Sequence, residues 1–450
     1  MSKDKKKTGE SKESAVTGPE KVQVDLLVHP IGELVTPIWS ADEPVHGADM
    51  HTCVRRVRDA AIAVADGKVV AAGPAAAVLG AVHVDEKTLR VDAGDRLVVP
   101  GFVDPHTHLI FSGNRANEFI MRCQGKSYQE IAAAGGGIVA SMTATRHATI
   151  EELVQSGLHR LAKMLAAGTT TCEVKTGYGL DEDSECRMLE AILTLRRMQP
   201  VELVPTFMPA HAFPPGIDRE AYVDAIIRSM LPKAADMVKR LSGGTEAQSF
   251  NDVFCDEGYF TLAQTKAILE AGSNLGLRPK VHADEFANLG ATRLAVDIQA
   301  ASADHLLNVS DEEMRLLAKS NTVAVLLPGT SFFLNLKEHA PARKMIEQGV
   351  AVGLGSDFNP GSCHIFSLPL IFGLACLHLK MTAEEALTAL TINAAHAVGL
   401  GRKVGQIAPN YQADIVVMDV KTLEEVPYNL GANPVEQVIK RGRIVAAGAR

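Results

Sequence analysis

Residues Val98–Arg115 read VVPGFVDPHTHLIFSGNR. An apolar run passes through Gly101 and Phe102 and ends at two histidines, His106 and His108, two positions apart. Alternate residues of an extended chain share a face, so both imidazoles can address one point. Taken alone, such a pair is more often an ordinary polar strand end. What other strands end in decides between the two.

Between Gly101 and about Gly401, strand and helix patterns alternate. Candidate strands end near His108, Lys175, His211, Cys255, His282, His305, Leu327 and Ser356. Helix openings lie between them: Thr149 with Glu152, Thr261 with Gln264, Ser310 with Glu313 and Thr382 with Glu385 all match the capping box. Behind Thr149, Ile150, Leu153, Val154, Leu158, Leu161 and Leu165 make one apolar face, and Gly168 marks the stop. Eight such units predict an α/β fold of the (β/α)8 TIM-like barrel type over residues 101–402. An open doubly wound sheet is the other arrangement. It needs a Gly-rich turn after a strand, whereas AAGGGIV (Ala133–Val139) follows a helical stretch and reads as a mobile loop near the barrel mouth.

Catalytic groups of such barrels gather where the strands end. The run RPKVHADEF stops at His282, followed by Asp284 and Glu285; AASADHL stops at Asp304 and His305; AVGLGSDFNPGS stops at Asp357. His106, His108, His282 and Asp357 make a three-nitrogen, one-oxygen set suited to zinc or iron with space for a water. A cap or a turn explains His282 or Asp357 singly but not their joint placement. A divalent ion there lowers the pKa of a coordinated water toward about 7 and polarises a carbonyl. Asp357 then doubles as acceptor of the water's proton, and His305 as a hydrogen-bond donor to the attacked oxygen or a proton shuttle. The implied class is metal-assisted hydrolysis of a C–N bond. No GxSxG elbow supports a serine nucleophile.

The flanks differ in character. Residues 22–100 carry short apolar strands with tight turns, as in AAIAVADGKVVAAG, and residues 403–450 repeat this in ADIVVMDV and VIKRGRIVAAG. Asp66–Gly73 and Arg441–Gly448 look alike, each a strand, a turn and a strand. Both chain ends are therefore expected to form one small composite β-sandwich, with the barrel inserted between them. Residues 1–21, Lys-rich and without an apolar stretch, read as a disordered tail and not as a secretory signal.

The chain has 450 residues, 46% of them hydrophobic, which is enough for a large core and a satellite domain. Its net charge of −8 argues against nucleic acid or an anionic membrane as partner. A small-molecule substrate is the better expectation. No apolar run reaches the roughly 18 residues of a spanning helix. Seven scattered cysteines without a CxxC pair suit reduced thiols in the cytoplasm.

The motif GFVDPHTH, the histidines ending the fifth and sixth strands and the GSD ending the eighth resemble the amidohydrolase superfamily, whose composite β-domain matches the split noted above. Many of its members hold two metals through a carboxylated lysine at the end of strand four. Here that strand ends DVFCDEG, with Cys255, and Lys175 belongs to strand two, which points to the mononuclear branch. Within it, HTHLIFSGNRANEF, EVKTGYGL, MPAHAFP, VHADEFANLGATRLA, SADHL and GSDFNPGS resemble the imidazolonepropionase family.

That resemblance implies hydrolysis of 4-imidazolone-5-propanoate to N-formimidoyl-L-glutamate in histidine degradation. It implies one divalent or trivalent ion per subunit, zinc or iron, held by the same four residues. Arg115 is implied as the clamp for the propanoate, with Tyr178 as a second donor. Glu285 is implied at a ring nitrogen, as acid or base, and His211 as a substrate contact; Asn359, Gly361 and Ser362 are implied at polar groups of the product. The Lys-rich head and the stretch 41–56 have no counterpart. A homodimer is the symmetric default. Two alternatives stand: a deaminase of a ring such as guanine or cytosine, for which Arg115 and Tyr178 would have no carboxylate to hold, and a non-catalytic assembly protein, which would have no reason to keep all four ligands.

Overall fold

The computed structural model describes residues 21–40, 42–127, 130–131, 134–241 and 248–447. The expected disordered tail, apart from Lys21, lies outside the described residues, as do Ala133 and Gly448. Eight parallel strands stand side by side: β1 (Phe102–Asp104), β2 (Thr169–Lys175), β3 (Glu202–Ala210), β4 (Phe250–Cys255), β5 (Arg278–Ala283), β6 (Ser302–His305), β7 (Val323–Leu326) and β8 (Val352–Leu354). The sheet closes through a parallel bridge between Thr107 and Phe358, flanked by Asp357 N donating to His106 O (3.0 Å) and His108 N to Phe358 O (2.9 Å). The (β/α)8 expectation holds, and the open sheet is excluded. β1 ends at Asp104, earlier than the sequence suggests, because Pro105 has no N–H to offer the ladder. The chain nevertheless runs on far enough to place His106 and His108 on either side of Thr107.

The helices form where their caps predict. Thr149, Thr261, Ser310 and Thr382 all close full capping boxes. The helix behind Thr149 spans Ile150–Ala166 and buries Leu153, Val154, Leu161 and Leu165. Among the described residues, no helix is long and apolar enough to cross a membrane.

The chain ends share one sheet, ordered Arg443–Ala447, Val435–Lys440, Ile415–Met418, Leu97–Pro100, Leu26–Pro37, Val54–Ala65 and Lys68–Pro74. Leu26–Pro37 bends midway. Its first half pairs with Leu89–Val91 and its second with Leu97–Pro100, so the sheet wraps a core of Leu26, Val28, Ile31, Ile62, Ile415 and Ile439. The two look-alike segments are hairpins. Asp66 (φ 50°) and Gly67 (φ 73°) turn the first, and Arg441 (φ 49°) and Gly442 (φ 72°) the second, the left-handed pair of a type I′ turn. The turns meet, since Ala413 N donates to Gly67 O and Gly442 N to Ala413 O.

Barrel interiors are ordinarily filled by branched apolar side chains. This one is filled by ions. Glu173 and Lys175 of β2, Asp252 of β4, Lys280 of β5 and Asp304 of β6 are all fully buried. Lys175 Nζ lies 2.7 Å from Asp252 Oδ2, 2.9 Å from Glu173 Oε2 and 3.8 Å from Asp304 Oδ2. Lys280 Nζ lies 2.9 Å from Glu173 Oε2 and donates to Pro105 O at 2.7 Å. Burial alone would depress the Lys175 pKa; Asp252, Glu173 and Asp304 more than reverse this and raise it. Removing one partner of a buried ion pair typically costs about 3–5 kcal/mol, because the charge left behind is uncompensated. Lys175→Met is therefore expected to lower the free energy of unfolding by about that much. Urea titration measures it, and a loss under about 1 kcal/mol would show that Lys175 does not balance the cluster.

Candidate metal centre and substrate cavity

The carboxylates of that cluster reach the sequence-predicted ligands from behind. Asp304 Oδ2 lies 2.6 Å from His106 Nδ1, and Asp252 Oδ2 lies 3.0 Å from His282 Nδ1. A carboxylate at Nδ1 fixes the proton there and leaves Nε2 with its lone pair outward, the arrangement a metal-binding imidazole needs. His106, His108 and His282 offer nitrogens within 4.8 Å of one another. His108 Nε2 and His282 Nε2 are 3.4 Å apart, and Asp357 Oδ1 lies 3.5 Å from His106 Nε2 and 3.9 Å from His108 Nε2. Ligands bound at about 2.0–2.1 Å in a tetrahedron are separated by about 3.4 Å. Fully buried His106 Nε2 has no hydrogen-bond partner among the described residues. The three histidine nitrogens, with Asp357 Oδ1 beside two of them, fit a divalent metal ion on geometry and on this unmet valence.

Burial tunes His106, His108 and Asp357. It pushes His106 and His108 well below the usual imidazole range, with Lys175 adding to the effect on His106 and His211 on His108, so both are neutral. Burial raises the Asp357 carboxyl to about 6. Thr330 Oγ donates to Asp357 Oδ2 at 2.6 Å and leaves Oδ1 to the histidines. The backbone is bent to this end: Asp357 (φ 49°) and His305 (φ 81°) both occupy the left-handed region, a strain typical of functional sites.

Above the donors opens a cavity of about 380 Å³. It is lined by His108, His282 and Asp357 together with Arg115, Tyr178, His211, Glu285, His305, Asn359, Gly361 and Ser362. His106 alone of the twelve sequence-predicted residues stays beneath it, buried behind His108 and His282. A larger cleft of about 1120 Å³ lies elsewhere, at the seam with the chain-end sheet, and among its lining residues are Arg196, Arg197, Glu202, Arg441 and Arg443.

His211 stacks on His108 at 4.6 Å, and its Nδ1 faces Gly177 O at 3.0 Å, which assigns the proton to Nδ1. Burial lowers its pKa to about 3. Tyr178 is buried edge-on to both imidazoles; burial raises its pKa, so it remains a neutral donor. Glu285 is held by its own backbone, since Asp256 accepts from Glu285 N, Phe286 N and Ala287 N at 2.8–3.1 Å. Burial, reinforced by Asp357 and Asp256, raises the Glu285 pKa well above the usual carboxyl value and favours its neutral form. It lies 3.5 Å from His305 Nδ1, and burial keeps His305 neutral. Asn359 commits its side chain to the loop: Nδ2 donates to Asp357 O and Ser362 Oγ, and Oδ1 accepts from Gly361 N and Ser362 N.

Sequence reasoning passed over Asp252, Glu173, Lys280, Thr330, Asp256 and Glu118. A usable signal existed for some. In TTTCEVK and RPKVHA, charges alternate with apolar residues along strands that are otherwise buried, so Glu173 with Lys175 and Lys280 with His282 point into the barrel. Cys255, at the end of strand four, is a free thiol, and Lys175 is saturated by carboxylates.

The amidohydrolase family model matches residues 263–445. The imidazolonepropionase of Symbiobacterium thermophilum is 47% identical over 424 residues, 94% of this chain and 97% of that protein. That of Chloroflexus aggregans is 46% identical over 427 residues, 94% and 98% of the two chains. Among solved structures, E. coli guanine deaminase superposes with a TM-score of 0.70 at 16% identity, covering 94% of this chain and 99% of its own. An adenosine deaminase from Xanthomonas campestris with bound zinc gives 0.68 at 18%, covering 94% and 93%. At those identities the deaminases share the fold and nothing finer. The chain belongs to the imidazolonepropionase family of the amidohydrolases, metal-dependent hydrolases of a cyclic amide bond.

Proposed function

We propose that the chain hydrolyses the ring C–N (lactam) bond of 4-imidazolone-5-propanoate to N-formimidoyl-L-glutamate, with the cavity residues in the following roles. The observation that carries the reading is one cavity holding both a converging metal-donor set and Arg115. That joins a hydrolytic centre to a cation suited to a carboxylate.

His106, His108, His282 and Asp357 hold one ion per subunit, zinc or iron, since nitrogen and oxygen donors suit both. When bound, that ion supplies Lewis acidity and an acidified water. Arg115 takes the propanoate through charge-assisted hydrogen bonds, and the Tyr178 hydroxyl adds a neutral donor. The His211 ring and the loop of Asn359, Gly361 and Ser362 bound the ring and the product's polar groups, Asn359 by holding the loop in shape. Asp357 accepts the proton of the attacking water and His305 meets the attacked carbonyl oxygen. Glu285, protonated, faces a ring nitrogen and delivers the proton it needs as the C–N bond breaks. Water thus gives its oxygen to the carbonyl carbon, nitrogen takes the Glu285 proton, and passage of the proton held by Asp357 back to Glu285 through solvent restores both carboxyl groups. The enzyme is read as a cytoplasmic homodimer; its free, scattered cysteines support a reducing compartment, and the dimer rests on symmetry preference.

His108→Ala is expected to lose bound metal and turnover while keeping its far-ultraviolet circular dichroism; full turnover with an empty site on metal analysis would refute the ligand set. Arg115→Ala is expected to raise KM roughly 10- to 100-fold, the value of a charge-assisted pair of about 1.5–3 kcal/mol. Loss of imidazolone absorbance with wild-type protein supports the reading. Ammonia release from guanine, without imidazolone turnover, would favour the deaminase instead.

A further inference from the structure

A cavity meant for an anionic substrate contains an unexpected group. Glu118, on the helix Ala116–Cys123, is buried and lines the same cavity as Arg115. A bare carboxylate there would repel the propanoate. Its oxygens, however, are turned away and occupied. Arg115 Nε donates to Oε2 at 2.8 Å and Arg115 Nη2 to Oε1 at 2.5 Å, a bidentate pair along one side of the guanidinium. Gly137 N donates to Oε2 as well, at 2.9 Å. Burial alone would raise the Glu118 pKa; Arg115 and Gly137 outweigh it, and the group stays ionised.

A guanidinium has five N–H groups in a planar fork. Glu118 takes the Nε/Nη2 side, and the Nη1 end remains. That end rests on Gly361, where an added Cβ would fall 1.8 Å from Nη1 and 2.4 Å from Cζ. Gly361 O is itself pinned by Arg122 Nη2 at 3.0 Å. Arg115 is thus fixed along one side by Glu118 and across one face by Gly361, and among the described residues its Nη1 end has no hydrogen-bond partner, which leaves it for a second carboxylate.

We propose that Glu118 is the positioning residue for substrate recognition: it orients Arg115 so that the Nη1 end of the guanidinium meets the propanoate. The proposal rests on the assignment of Arg115 as the propanoate clamp. It also gives the glycine triplet a purpose. Gly137, at φ 81° and ψ −170°, occupies a region open essentially to glycine alone, and in that conformation its N–H reaches Glu118. A Cβ on Gly136 would lie 2.7 Å from Ile131 Cγ2 and 3.1 Å from Glu118 Oε2, so the chain packs directly on the pair.

The test is a double-mutant cycle of Glu118→Gln and Arg115→Ala, assayed on imidazolone propanoate and on its propanamide analogue. For Glu118→Gln the expected result is a KM about tenfold higher on the propanoate, with kcat within about twofold, because an orienting contact of about 1.4 kcal/mol is lost. The kcat/KM on the propanamide should stay at the wild-type value, and the double variant should be no worse than Arg115→Ala. A merely structural role would lower both substrates alike and add its full cost to Arg115→Ala; either result overturns the proposal. So does a fall in KM, which would show repulsion between the carboxylates outweighing orientation. Should Glu118→Gln not fold, judged by its melting temperature, Glu118→Asp draws the same carboxylate back from Arg115, and a KM rise confined to the propanoate is again required. If Arg115→Ala leaves KM unchanged, the clamp assignment falls and takes this proposal with it. A KM rise in Arg115→Ala with none in Glu118→Gln or Glu118→Asp overturns the proposal alone.

Discussion

The site depends on one buried ion cluster. Lys175 Nζ sits among Asp252, Glu173 and Asp304 at the centre of the barrel, with none of the four exposed. Two of those carboxylates are the ones that hold His282 and His106 by Nδ1. Without Lys175, Lys280 alone would face Glu173 and Asp304, and the excess carboxylate charge in a water-free interior would be neutralised by uptake of a proton. A protonated Asp252 or Asp304 no longer fixes the imidazole tautomer with its lone pair outward. Lys280 completes the balance by holding Glu173 and, through Pro105 O, the chain just before His106. The metal donors are the upper layer of an ionic structure whose lower layer is these lysines.

The same dependence explains where the backbone is strained. β6 ends at His305 with φ 81°, and the last loop turns at Asp357 with φ 49°. Each costs about 1–3 kcal/mol and persists only where neighbours over-determine it. For Asp357 the neighbours are Thr330 on one oxygen, Asn359 Nδ2 on its carbonyl, and the bond from its N–H to His106 O that closes the barrel. Barrel closure and ligand placement are therefore one set of contacts.

Much of this was legible in the sequence. Strand ends carrying His or Asp, four capping boxes and two look-alike hairpins sufficed for the barrel and the composite sheet, because each is a local signal of one or two turns. The boundary of β1 was misplaced because apolar residues continue past Pro105, and hydrophobicity does not register a missing N–H. The ion cluster was hidden for another reason. Glu173, Asp252, Lys280 and Asp304 lie far apart in sequence and meet only when the sheet closes, and a charged residue in a strand ordinarily reads as its solvent face. Glu118 was hidden among helix residues, where its spacing from Arg115 resembles a common surface pair. Only the cavity shows that this pair is buried and aimed.

One cavity then holds three carboxyl groups in three states. Glu118 is ionised, since a guanidinium and a backbone N–H meet its two oxygens. Asp357 titrates near 6, with burial opposed by Thr330. Among the described residues no Lys or Arg is paired with Glu285; its loop is clamped through backbone N–H groups bound to Asp256, and burial raises the pKa of its carboxyl well above the usual value. Environments that push like groups apart assign them different tasks. In the proposed reaction the charged one orients a cation, the intermediate one accepts a proton, and the one raised furthest gives a proton. Hydrolysis of a ring amide needs the last two at opposite ends of the breaking bond, and in this fold they come from different strand ends, β8 and β5.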